Sequence, residues 1–199
     1  MEQHEGWDRG QEQVLVLAAQ RGEPAALEAL VRRYHAPLVQ YLDRLLGDPE
    51  AAGDLAQETL LKMMRALPRY QPRARFSTWL YTIATNLGRD HLRRKGYRER
   101  WQHSLDDPER RGPEPATEAG LVSDQVLASL TREDVRRALS DLSAEHRAVM
   151  LLHYFEGLSY KEIAETMGCS VGTVGSRLHY AIRRLRRQLG TDAPESIEP

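Results

Sequence analysis

Apolar residues along most of this chain recur three and four apart, the spacing that keeps them on one face of an α-helix. Gln11–Gln20 is a short amphipathic segment, ended by Arg21-Gly22. Pro24 suits a first helical turn, where its missing amide costs nothing. From there Leu27, Leu30, Val31, Tyr34, Leu38, Tyr41, Leu42 and Leu45 form a stripe that runs to Gly47. Asp48-Pro49 restarts the chain as N-cap and first helical residue. The next stripe, Leu55, Thr59, Leu60, Met63, Met64 and Leu67, is stopped by Pro68. After Pro72 and the loop Arg73–Arg75, a helix is predicted over Phe76–Lys95, with Trp79, Leu80, Ile83, Ala84, Leu87 and Leu92 on its apolar side. Helical spacing returns near Ser123 with Val126, Leu127, Leu130, Val135, Leu139 and Leu142. No segment alternates with the period of two that a half-buried strand requires. The predicted fold is all-α.

The last quarter is the most specific part of the pattern. A helix over Ser143–Phe155, capped by Ser143, carries Val149, Leu151 and Leu152. The next opens at Ser159-Tyr160-Lys161-Glu162, a capping box in which Ser159 and Glu162 satisfy each other's exposed amides. Gly168-Cys169-Ser170 then turns the chain, with Ser170 as a further N-cap. The helix from Val171 to about Leu189 carries Arg177, Arg183, Arg184, Arg186 and Arg187 and no acidic residue. A capped helix, a short Gly-containing turn and a basic helix are the parts that insert a helix into the DNA major groove. The plainer reading is a three-helix bundle with a solvated basic face, but such a face normally mixes charge signs.

Between the two helical blocks, Tyr97 to about Gly120 is rich in Arg, Asp, Glu, Pro and Gly and too poor in apolar residues to repay the entropy of ordering. The expected organisation is two helical domains, 11–96 and 123–190, joined by a flexible acidic linker over 97–122. Residues 1–10 and 191–199 are expected to be disordered ends.

With 41% hydrophobic and 29% charged residues the 199-residue chain has a globular composition, and its formal net charge is only −1. It is therefore not basic as a whole, but its charge is segregated. Arg89, Arg93, Arg94, Lys95, Arg98 and Arg100 make one basic cluster and the last helix another, while Asp106 to Glu145 is acidic in excess. That pattern suggests DNA contact from two places. Cys169 is the only cysteine, which excludes an intrachain disulfide and suits a reducing compartment. In its turn it is expected to be a small buried residue. Met1-Glu2-Gln3-His4-Glu5 does not open a signal peptide, and no window is apolar enough to span a bilayer, so no membrane insertion and a cytoplasmic location are expected. The seven histidines are scattered without metal spacing, and neither a phosphate loop nor a nucleophile elbow is present. No catalytic residue, metal or cofactor is expected.

Taken together, the motifs resemble those of an extracytoplasmic-function (ECF) sigma factor of the sigma-70 family. Asp54-Leu55-Ala56-Gln57-Glu58-Thr59 is similar to the segment that docks on the clamp helices of RNA polymerase. Phe76-Ser77-Thr78-Trp79-Leu80-Tyr81-Thr82-Ile83-Ala84-Thr85-Asn86, with Asp90 and Arg93-Arg94-Lys95, is similar to the promoter-melting, −10-reading helix. Gly157-Leu158-Ser159-Tyr160-Lys161-Glu162-Ile163-Ala164 and Val171-Gly172-Thr173-Val174 resemble the −35-reading helix-turn-helix. The resemblance covers nearly the whole chain, with all three motifs in the expected order.

It implies an initiation factor that binds core RNA polymerase at the beta-prime clamp helices and beta flap, directs it to promoter DNA and promotes melting. An anti-sigma factor is an expected further partner. Asp54, Gln57 and Glu58 share one helix face, chemically suited to Arg and Lys on a polymerase helix, although alone it would be an ordinary solvated face. Ala66, Tyr70 and Asn86 are implied around a pocket for a base flipped from the −10 element, because an amide can pair with a base edge and a ring can stack on it. Asn86 could instead bridge helices. Arg89, Arg93, Arg94 and Lys95 would hold phosphates, which position DNA without reading sequence. On the last helix Thr173, Ser176, Arg177, His179, Tyr180, Arg183 and Arg184 are candidates for the −35 element. Two positions depart from the family pattern: Gly175 and Tyr180 stand where basic residues are common. Gly175 also weakens the helix by up to about 1 kcal/mol relative to Ala.

The main rival is a stand-alone helix-turn-helix regulator, since Gly157–Ala164 also resembles response-regulator-type activators. Those need a sensing or receiver domain, usually with strands, and the first block predicts none. A helical adaptor without DNA binding conflicts with the all-basic last helix.

Overall fold

The computed structural model describes residues 9–72, 74–94 and 137–188, all of whose regular elements are helical. Lys95, the linker over 97–122, the helix predicted from Ser123 as far as residue 136, and both ends lie outside the described residues. The chain divides into two units after His91.

The first unit opens with α1 (Arg9–Gln20) and α2 (Pro24–Leu46). Pro24 takes the first helical position of α2, and Gly47 closes it at φ 67°, donating its N–H to the Asp43 carbonyl at 2.7 Å. Only a residue free of a Cβ adopts that left-handed closure without strain. Asp48 then caps α3 (Pro49–Ala66), its carboxylate accepting from the Ala51 N–H at 3.1 Å. Two residues thus turn α2 into α3, and the two pack side by side as a helical hairpin. Pro68 does not stop the chain outright. It sits in a single 3-10 turn, Leu67–Arg69, that leads to Tyr70 and then to α4 (Phe76–Arg94).

The core of this unit is the stripe the periodicity marks. Leu30, Leu38, Leu42 and Leu45 of α2, Met63 of α3 and Leu80 of α4 are fully buried. Each such side chain contributes roughly 1.5–3 kcal/mol relative to exposure. Tyr41, also fully buried, keeps its hydroxyl satisfied by the Thr85 hydroxyl of α4 at 2.8 Å. Gly88 lets α4 approach α2 closely, since a Cβ there would lie 2.8 Å from Leu45 Cδ2.

The second unit begins, among described residues, with a helical turn at 137–140 and continues as α5 (Ala144–Tyr154), α6 (Tyr160–Met167) and α7 (Val171–Gln188). Ser143 caps α5. The Ser159–Glu162 capping box opens α6, with the Glu162 carboxylate accepting from the Ser159 N–H at 2.9 Å. Gly168, at φ 63°, ends α6, and Ser170 caps α7 by accepting the Thr173 N–H at 3.0 Å. Helix α5 is buried from Glu145 to Leu152 and packs against both other helices. Ile163 of α6 and Val174, Leu178 and Ala181 of α7 complete the core. Cys169, expected to be buried, is half-buried at the rim of the turn. The turn is closed by backbone, the Cys169 N–H donating to the Ala164 carbonyl at 3.1 Å, so its side chain is not needed as filling.

Candidate nucleic-acid interface

Helix α4 presents one stripe away from its core: Trp79, Thr82, Asn86, Arg89 and Arg93, spaced three and four apart. Thr82 and Arg89 are half-buried, and Asn86 and Arg93 are exposed. The stripe covers 14 steps of helix, about 21 Å. Its N-terminal end is an aromatic platform. Tyr70 lies 4.7 Å from Trp79 and 5.7 Å from Phe76 between ring centroids, and Tyr34 lies 5.6 Å from Phe76.

The platform is braced from two sides. The Tyr70 hydroxyl donates to the Ala74 carbonyl at 2.9 Å. From α1, the Gln20 amide donates to the Leu67 carbonyl at 3.0 Å and to the Tyr70 carbonyl at 2.7 Å. Glu12, also on α1, accepts the Tyr34 hydroxyl. Burial, and secondarily the Glu12 carboxylate, push the Tyr34 and Tyr70 phenols above the usual tyrosine range. Both stay neutral donors at any physiological pH. Trp79 is half-buried, neither sealed in the core nor fully presented. Of the other predicted −10 residues, Ala66 is exposed at the end of α3 and Arg94 is exposed at the end of α4, while Lys95 lies outside the described residues. Tyr70 and Asn86 share this side of the unit in the sense that Tyr70 stacks on Trp79, seven residues before Asn86 on the same stripe.

On α3, Asp54, Gln57 and Glu58 are all exposed. Glu58 meets Lys62 at 3.1 Å with both side chains about half in solvent, an ordinary surface pair worth little. Leu61 falls on this same face, seven residues after Asp54, and is 47% exposed. Sequence reasoning missed it. The available signal was that Leu61 is the one leucine of α3 outside the core stripe.

The basic helix α7 divides its candidates into two stripes. Ser176, His179 and Arg183 are exposed, and Gly172 and Arg187 extend the same row to either side. Thr173, Arg177, Tyr180 and Arg184 form the adjacent row, and every one of them is half-buried. Arg177 donates from Nη2 to the Glu145 carboxylate of α5, with the two side chains only 14% and 10% exposed. The Tyr180 ring packs on His146 at 4.5 Å between centroids, and His146 Nδ1 is 2.6 Å from the Ser143 hydroxyl. The Thr173 hydroxyl is 2.8 Å from that of Ser170. Farther along, the Gln188 amide donates to Asp141 at 2.5 Å.

Among the described residues no group of His, Cys, Asp and Glu side chains could hold a metal ion, and no helix is long and apolar enough to cross a membrane.

Comparison with known proteins fits the two units. Residues 30–98 match the family model for Sigma-70 region 2, and residues 132–185 match that for Sigma-70, region 4. The ECF RNA polymerase sigma factor SigL of Mycobacterium tuberculosis is 39% identical over 176 residues, covering 87% of this chain and 94% of SigL. The RNA polymerase sigma-H factor of Pseudomonas aeruginosa is 33% identical over 192 residues, covering 90% and 94%. Among solved structures, the sigma factor RpoE of Bartonella quintana, determined with the anti-sigma factor NepR, is 28% identical with a TM-score of 0.63, covering 83% of this chain and 98% of RpoE. CnrH, determined with the cytosolic domain of CnrY, has a TM-score of 0.65 at 24% identity over 94% of this chain and 100% of CnrH, a likeness of fold.

Proposed function

The chain belongs to the sigma-70 family in its ECF branch, a factor that directs RNA polymerase to promoters, and from that premise we propose which of its surfaces does each part of the work. The first domain, 11–96, docks on the beta-prime clamp helices through Asp54, Gln57 and Glu58, with Leu61 as an apolar contact among them. A charged face with one exposed leucine suits a basic helix that also offers a hydrophobic spot.

The same domain captures the −10 element along the α4 stripe. Tyr70 on Trp79 offers an aromatic surface for an unpaired base, Asn86 and Ala66 complete the proposed pocket, and Arg89, Arg93, Arg94 and Lys95 hold phosphates. Unpairing a base costs a few kcal/mol, and stacking plus amide bonds offset that cost without any covalent chemistry. The second domain, 123–190, lays the exposed row of α7, Ser176, His179 and Arg183, into the major groove at the −35 element. Regulation by an anti-sigma factor, the kind of partner with which Bartonella quintana RpoE forms a complex, and a cytoplasmic location complete the reading.

The observation that carries it is the α4 stripe, where a braced aromatic platform runs into an exposed amide and then into arginines. A stand-alone duplex-binding regulator has no use for that sequence of groups. The test is holoenzyme binding to a fork-junction probe with an unpaired −10 strand, comparing wild type with Asn86→Ala. The variant is expected to lose −10 base discrimination by roughly 5- to 150-fold, the 1–3 kcal/mol of one base contact. Core binding is expected to stay intact. Lost core binding with unchanged base preference would make Asn86 a structural residue and overturn the pocket.

A further inference from the structure

We propose that Arg177 and Tyr180 do not touch DNA but set the tilt of α7 against α5, leaving direct −35 contact to the row Ser176, His179 and Arg183. This rests on reading α7 as the −35 helix. Two residues of the half-buried row are tied to one short stretch at the start of α5. Arg177 bonds Glu145 and Tyr180 packs on the very next residue, His146, which is held in turn by the N-cap Ser143. Arg147 continues the stretch, donating to the Ser140 and Leu142 carbonyls at 2.9 and 3.0 Å and so fixing the chain that enters α5. Gln188 and Asp141 fasten the far end of α7.

The chemistry favours a link over a contact. An Arg177 side chain only 14% exposed and paired with a carboxylate presents little of its charge to a phosphate. Removing either partner strands the other charge in a poorly solvated place, so the pair holds its two helices firmly. Glu145 also stands in the first turn of α5, where the helix dipole favours a carboxylate. Tyr180 occupies a position where the family commonly carries a basic side chain. Its ring serves the packing on His146, which explains why a charge can be absent there. The two-turn row Ser176, His179 and Arg183 then reads the groove, and its angle of entry is fixed from behind.

The test uses the full-length protein with core polymerase on duplex carrying the −35 element, with affinity measured against salt and against substituted −35 bases. Arg183→Gln is expected to lower the slope of log affinity against log salt by about 1, as a lost phosphate contact does. Arg177→Gln and Glu145→Gln are both expected to leave that slope unchanged while reducing −35 discrimination about fivefold or more. The exchange E145R with R177E is expected to restore discrimination. The reverse pattern would overturn the proposal: a slope reduced by about 1 in Arg177→Gln, with Glu145→Gln binding as tightly as wild type.

Should the substituted chains fail to fold, the wild-type chain still decides. Its Arg177 side-chain NH resonance is expected to stay in place on adding −35 duplex while that of Arg183 moves. Movement of both refutes the positioning role. Movement of neither refutes the reading of α7 as the −35 helix.

Discussion

Replacing Gln20 with leucine isolates the contribution of α1 to promoter opening. Gln20 lies outside the residues matched to region 2, yet its amide donates to the Leu67 and Tyr70 carbonyls on the turn that carries Tyr70. Leucine keeps the volume and deletes both bonds. Each is worth about 0.5–1.5 kcal/mol net. The Leu67 carbonyl retains the Tyr70 N–H at 3.0 Å, so the loss falls near the middle of the combined range, about 2 kcal/mol. Domains of this size are stable by roughly 5–15 kcal/mol, so the chain stays folded and the loss appears as disorder of the Tyr70 turn. At about 1.4 kcal/mol per tenfold, the equilibrium constant for ordering the turn in the arrangement proposed to receive a base falls roughly 30-fold. The assay is permanganate reactivity of unpaired thymines at the −10 element in holoenzyme complexes. Open complex is expected to fall measurably, by at most that factor, with core affinity unchanged. Undiminished opening in the variant would mean that packing of Tyr70 on Phe76 and Trp79 holds the turn unaided, and the brace argument would be refuted.

Three further variants probe the first unit. Gly88→Val puts a branched side chain where even a Cβ would meet the buried Leu45 at 2.8 Å, and is expected to cost about 1–3 kcal/mol, read by urea unfolding. Wild-type stability would show that α4 and α2 are not in close contact there. Asp54→Ala with Glu58→Ala is expected to weaken core polymerase binding about tenfold or more with no change in unfolding midpoint, and Leu61→Asp to do the same alone; unchanged affinity in both would remove this face from the docking surface.

The fold was readable because its signals are local. Asp48, Ser143, Ser159 and Ser170 each cap the helix their positions suggest, since a short polar side chain bonds amides only two or three residues away. The apolar stripes likewise located Leu30, Leu38, Leu42, Leu45, Leu80 and Val149 in the core. Pro37 sits inside α2, where propensity argues against helix, and the buried stripe on both sides of it outweighs that cost.

What the sequence did not disclose are pairings between helices. Periodicity shows that Arg177 lies beside the outward row of α7, but not that Glu145, 32 residues earlier, turns it inward. Gln20 looks like the last residue of a minor helix, and its role depends on carbonyls 47 and 50 positions away. Leu61 shows the converse: a leucine at helical spacing that no partner in its own unit covers. The roles proposed for Asn86 and Asp54 rest on motif resemblance, because an exposed amide or carboxylate carries no physical mark of its target.

Transcription in vitro with bacterial core RNA polymerase on fragmented genomic DNA, with and without this protein and with transcript 5′ ends mapped, tests whether the chain directs polymerase to promoters. New start sites that share paired upstream elements, and vanish when the protein is omitted, are the expected result. Folded protein and active core enzyme yielding no new starts, while the protein alone binds duplex DNA tightly, would contradict it.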